Sequence, residues 1–91
     1  GILTVVVTID RASFSILSGP DIVTRGFIYV RESGDLISEA TEVVKAELDK
    51  CMERKITEWF VIKSNIKNSL GQFLYSKTRR NPIILPIIME I

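Results

Sequence analysis

An α+β fold is predicted for this chain: a small, mostly three-stranded sheet with two α-helices packed on one face, in the order β-β-α-α-β. Three observations predict it. Ile2–Ile9 alternates its side chains with a period of two and is rich in β-branched residues. The stretch that begins at Ser33 carries two successive apolar stripes at three-to-four spacing. Pro82–Ile91 then returns to an extended, β-branched run. Strands followed by helices and a closing strand give helices layered on a sheet. The chain has 91 residues, the size of one domain with one core.

Strand one places Leu3, Val5, Val7 and Ile9 on one face and Thr4, Val6 and Thr8 on the other. Asp10-Arg11-Ala12-Ser13 reads as a polar turn, and Phe14–Leu17 has room to return as an extra short strand. Ser18-Gly19-Pro20-Asp21 reads as a second turn, because glycine admits positive φ and proline fixes φ. Gly26 then precedes a strand over Phe27–Val30.

Ser33 has the hydroxyl of an N-cap, and Asp35 suits the positive end of a helix. Ile37, Ala40, Val44, Leu48 and Cys51 carry the apolar face to about Arg54. Thr57 is the predicted cap of the second helix, with Glu58 in its first turn. Its stripe is Trp59, Ile62, Ile66, Leu70 and Phe73, with Leu74 at the border. Gly71 inside that helix points to a close helix approach, since it costs about 1 kcal/mol relative to alanine. Asn81-Pro82 ends the helix.

Composition excludes several functions. There is no histidine, so imidazole acid–base pairs, Ser-His-Asp triads and the usual zinc sites have no material here. Helix one spreads its acids as a solvated face does, so no cofactor is expected in this chain. No phosphate-binding glycine loop is present. Cys51 is the single cysteine and falls on an apolar helical face, which reads as a buried, inert thiol. No apolar run reaches the length of a membrane span and no signal peptide is visible, so a reducing, cytoplasmic setting is expected.

Net charge is +1, far from the profile of a basic nucleic-acid binder. The charge is nevertheless segregated. Glu32 to Glu53 holds seven acids against Lys45 and Lys50, whereas no acid occurs from Trp59 to Met89. Differently solvated faces account for such a pattern most simply.

The sheet face away from the helices stands out. Strand one shows Thr4 and Val6 there, and Phe27 and Tyr29 join them if Ile28 and Val30 point inward. The last strand is apolar on both sides, so its outer side stays apolar whichever way it faces; Ile84 and Ile88 are taken as the outer pair. A solvated face alternates with polar residues, and this one does not, so a covering subunit or domain is expected. The expected interface set is therefore Thr4, Val6, Phe27, Tyr29, Ile84 and Ile88. The alternative is a module for single-stranded RNA, with bases stacked on Phe27 and Tyr29 and phosphates met by Arg25, Arg31, Lys77, Arg79 and Arg80.

The runs Ser18–Ser33 (SGPDIVTRGFIYVRES) and Phe73–Glu90 (FLYSKTRRNPIILPIIME) together resemble the C-terminal domain of ribonuclease J. That family typically shows SGPDI-[IV]-[ST]-RGF-[IV]-Y and FLY-x-KT-x-RRPMILPIIME, and strand one also resembles its entry into the domain. Asn81 stands where a second basic residue is usual before the proline, and Ile83 where methionine is common. The departure at Asn81 weakens a phosphate contact there.

The resemblance implies a parent of the metallo-β-lactamase/β-CASP class, a bacterial ribonuclease with endonucleolytic and 5′→3′ activity in RNA processing and decay. It places a zinc pair in the parent's histidine-rich lactamase domain and no catalytic residue in this piece. It also implies self-association, contact with the parent's catalytic domains, and RNA bound through the parent. A chain that starts within a strand and ends on one fits an excised domain of this kind.

Overall fold

The computed structural model describes residues 1–26 and 33–91. Five elements follow in order: β1 (Ile2–Ile9), β2 (Ile16–Arg25), α1 (Ser33–Glu53), α2 (Trp59–Thr78) and β3 (Ile83–Glu90). The sheet order is β2-β1-β3, with β1 antiparallel to β2 and parallel to β3. The architecture is the predicted one. The strand predicted over Phe27–Val30 lies outside the described residues, and the described strand paired with β1 runs earlier, over Ile16–Arg25.

That strand passes straight through the expected Ser18–Asp21 turn. Gly19 has φ +90° and the Gly19–Pro20 bond is cis; the pairing shows that the segment bulges without reversing the chain. The register steps from Val6↔Asp21 to Thr8↔Ser18 across this point. Turn chemistry in the sequence thus serves a bulge. The extra strand at Phe14–Leu17 is absorbed likewise: Ile16 and Leu17 open β2, while Phe14 sits in the preceding loop at φ +57°. Its ring stacks on Trp59 at 5.2 Å between centroids and closes that loop over the start of α2.

The core forms between the sheet and the helices. Leu3, Val5, Val7 and Ile9 point inward from β1. Ala40, Val44, Leu48 and Cys51 meet them from α1, and Ile62, Ile66, Leu70 and Leu74 from α2. The strict four-residue spacing on α2 puts Leu74 in the core and leaves Phe73 partly buried, the reverse of the predicted ranking. Glu47 is buried beside them at the α1–α2 contact. Ser69 donates its hydroxyl to the Glu47 carboxylate at 3.0 Å, and Lys50 lies 3.7 Å from the same oxygen.

α1 closes with Lys55 at φ +56°. The N–H of Lys55 meets the Met52 carbonyl, and the N–H of Ile56 reaches back to Cys51. These two bonds form a Schellman stop, built without glycine. α2 starts one residue later than predicted. Glu58 holds the N-cap position with no side-chain cap bond, so Thr57 is not the cap. The Glu58 carbonyl instead accepts the N–H groups of Val61 and Ile62.

Gly71 lies over β3, where an added Cβ meets Ile84 Cδ1 at 3.7 Å, ordinary van der Waals contact. The approach is close without requiring glycine. Gly71→Ala is therefore expected to stabilise the chain by about 1 kcal/mol through helix propensity, measurable as a higher urea midpoint at unchanged slope.

Among the described strands β3 lies at an edge of the sheet, and its backbone parity is fixed at both ends. Ile83 N–H donates to Gly1 and Ile91 N–H donates to Ile9. With an unbroken register between them, the odd-numbered residues bond β1 and the even-numbered ones face the open edge. Pro86 is even-numbered, so its missing N–H costs the sheet nothing.

Candidate interface on the outer sheet face

The register sorts the predicted interface residues. Side chains directly paired across strands share a face. Leu3, Val5, Val7 and Ile9 are inward, so Ile2, Thr4, Val6 and Thr8 point outward from β1. Their β3 partners are Ile83, Leu85, Ile87 and Met89, and their β2 neighbours on the same face include Val23, Asp21 and Arg25.

Thr4 and Val6 therefore hold their predicted place and are half-buried by their neighbours. Ile84 does not. It is 8% exposed and belongs to the core beneath α2, and Ile88 packs against the same core. The outer side of β3 is the opposite set, Ile83, Leu85, Ile87 and Met89, each between 45 and 60% exposed. Phe27 and Tyr29 lie outside the described residues.

With Ile2, Leu17 and Val23, also 40% exposed or more, these side chains make one apolar surface across all three strands. No described element covers it. Sequence periodicity could not choose between the two sides of β3, because both are apolar; only pairing to β1 decides.

The predicted phosphate contacts spread over two elements. Arg25 is exposed at the end of β2, level with Ile2 and Ile83. Arg31 lies outside the described residues. Lys77 pairs with Glu39 at 3.6 Å and lies 6.0 Å over Phe73, so its charge is already engaged. Arg79 ends α2 at φ +59°, its guanidinium 5.6 Å over the half-exposed Tyr75 ring. The Arg80 N–H bonds the Thr78 hydroxyl. Cations at this position complement the carbonyl end of the helix.

Among the described residues no three His, Cys, Asp or Glu side chains gather closely enough for a metal ion, so the zinc pair implied by the resemblance has no ligand set in them. Cys51 is buried, with the Asn65 amide 3.7 Å from its sulfur. Asp10 is held below the ordinary carboxylate range, first by the Ser13 hydroxyl and then by backbone N–H groups of the same turn. Beside it, an open crevice of about 540 Å³ is lined by Asp10, Arg11, Ala12, Glu90 and Ile91. Arg11 and Glu90 form an ion pair there at 3.4 Å. No described helix is long and apolar enough to cross a membrane.

Fold and surface together define a sheet-and-helix layer with an apolar face that no described element covers. The chain belongs to the ribonuclease J C-terminal domain family, whose model matches residues 1–91. It is 50% identical, over all of its 91 residues, to ribonuclease J2 of Bacillus subtilis strain 168. It is 43% identical over the same span to ribonuclease J 2 of Staphylococcus aureus strain NCTC 8325. In both cases the chain spans 16% of the relative's length.

Proposed function

We propose that this chain is a non-catalytic association domain that joins copies of a ribonuclease J-like enzyme and supports its catalytic domains. The parent then supplies the RNA chemistry: metal-dependent hydrolysis at a zinc pair in its lactamase domain, in the cytoplasm, in RNA processing and decay. The observation that carries this reading is the uncovered apolar face of β1, β2 and β3. A contiguous apolar patch of roughly this size is often a functional surface.

Strands of eight residues, spaced ~4.8 Å apart, give the three-stranded face an area of roughly 400 Å². That is below the roughly 800 Å² per partner of a standard interface. Association of this chain alone is therefore weak, and it gains strength when the parent adds further contacts.

The test is sedimentation of the 91-residue chain up to high micromolar concentration. A mass that rises with concentration and falls back in Leu85→Asp is expected. A monomer throughout, unchanged by that substitution, overturns the reading. The rival reading, an accessory module for single-stranded RNA, rests on Arg79 over Tyr75. It predicts binding that weakens steeply with added salt.

A further inference from the structure

Among the described residues the outer face carries two charges, Asp21 and Arg25, and their positions select how two copies meet. Asp21, Val23 and Arg25 follow one another on the exposed side of β2. Their rows across the sheet are Asp21–Val6–Ile87, Val23–Thr4–Leu85 and Arg25–Ile2–Ile83. An acid and a base thus stand at equal distance on either side of the Val23–Thr4–Leu85 row.

We propose, building on the association reading above, that a second copy packs face to face across a twofold axis lying along that central row. Each strand then covers its own counterpart running the other way. The axis carries the Arg25 row of one copy onto the Asp21 row of its partner, so both ends of β2 form opposite-charge pairs. Ile83 meets the Ile87 position and Ile2 meets the Val6 position, apolar against apolar. Such an interface is isologous: the same patch serves both copies, and it closes on a pair. Stacked sheets sit ~10 Å apart, a gap that an aspartate and an arginine at the rim can bridge.

The competing register centres the contact on the whole length of β3, with Ile83 over Met89. It covers slightly more apolar surface. It also presses Asp21 against Val23 of the partner, which removes water from a carboxylate and offers it no partner. The charges decide for the first register.

Charge exchange tests it on the 91-residue chain, by sedimentation equilibrium with circular dichroism as the folding control. Asp21→Arg gives a copy with two arginines on the face, and Arg25→Asp one with two aspartates. Each alone is expected to weaken self-association about tenfold. An equimolar mixture of the two variants restores it, as does the double exchange D21R/R25D.

If Leu85→Asp abolishes association while both charge variants associate as the unsubstituted chain does, this register is overturned and the association reading stands. If the singles weaken association but neither the mixture nor the double exchange restores it, the pairing of Asp21 with Arg25 is overturned. A chain that stays monomeric at high micromolar concentration overturns the twofold pair together with the association reading, and leaves the face to another domain.

Discussion

Gly19→Ala is expected to lower the stability of this chain by about 3 kcal/mol. Two causes add. At φ +90° the residue occupies backbone space that L side chains rarely adopt. A Cβ built there would also stand 2.6 Å from the Val6 carbonyl oxygen and 3.1 Å from the Asp21 nitrogen. Both obstacles are backbone atoms of the strand ladder, so neither can swing aside. Relief requires β2 to lift away from β1 at the bulge.

Gly26→Ala provides the comparison. Its φ of +64° is also left-handed, but among the described residues nothing lies within 4 Å of the added carbon. Only the conformational cost of about 1–2 kcal/mol applies. Urea denaturation of the two variants checks the ranking, and equal losses would mean that the close approach to Val6 contributes nothing.

The second large effect separates two adjacent isoleucine and leucine positions. Ile84→Ala removes a side chain that packs beneath Gly71 and α2, and is expected to cost about 2–4 kcal/mol. Leu85→Ala removes one that is 45% exposed on the opposite face, and is expected to change the stability of the monomer by less than about 1 kcal/mol. Its effect falls on association, which should weaken. Denaturation in dilute solution reads the first quantity and sedimentation the second. Equal stability losses at both positions would mean that the outer face is buried within the monomer.

Most of the architecture was legible because periodicity carries it. β1 alternates without interruption, and the stripes Ala40–Val44–Leu48–Cys51 and Ile62–Ile66–Leu70 each name a helix face that the structure buries. Ser18-Gly19-Pro20-Asp21 has the residues of a turn, yet the structure carries it within β2. Glycine and proline signal an unusual backbone, and only pairing with Val6 and Thr8 shows that this one bulges without turning back.

The inner side of β3 was beyond sequence for a different reason. Ile83, Ile84, Leu85, Ile87, Ile88 and Met89 are nearly equal in hydrophobicity, so no pattern distinguishes them; the parallel register to β1 does. The two helix ends followed the same logic. Lys55 and Arg79 adopt left-handed φ without being glycine, leaving no sequence mark of where the backbone turns.

Pro86 carries a consequence for how far assembly can proceed. Strand-by-strand growth along the open side of β3 needs a continuous row of amide donors, and the ring nitrogen interrupts that row midway. In the association proposed above, copies cover one another's faces, while strand addition along β3 meets this interruption. A naked, isoleucine-rich strand of this kind would otherwise invite fibre formation. One proline nitrogen thus lets β3 keep a greasy outer side while resisting strand-by-strand growth along its own edge.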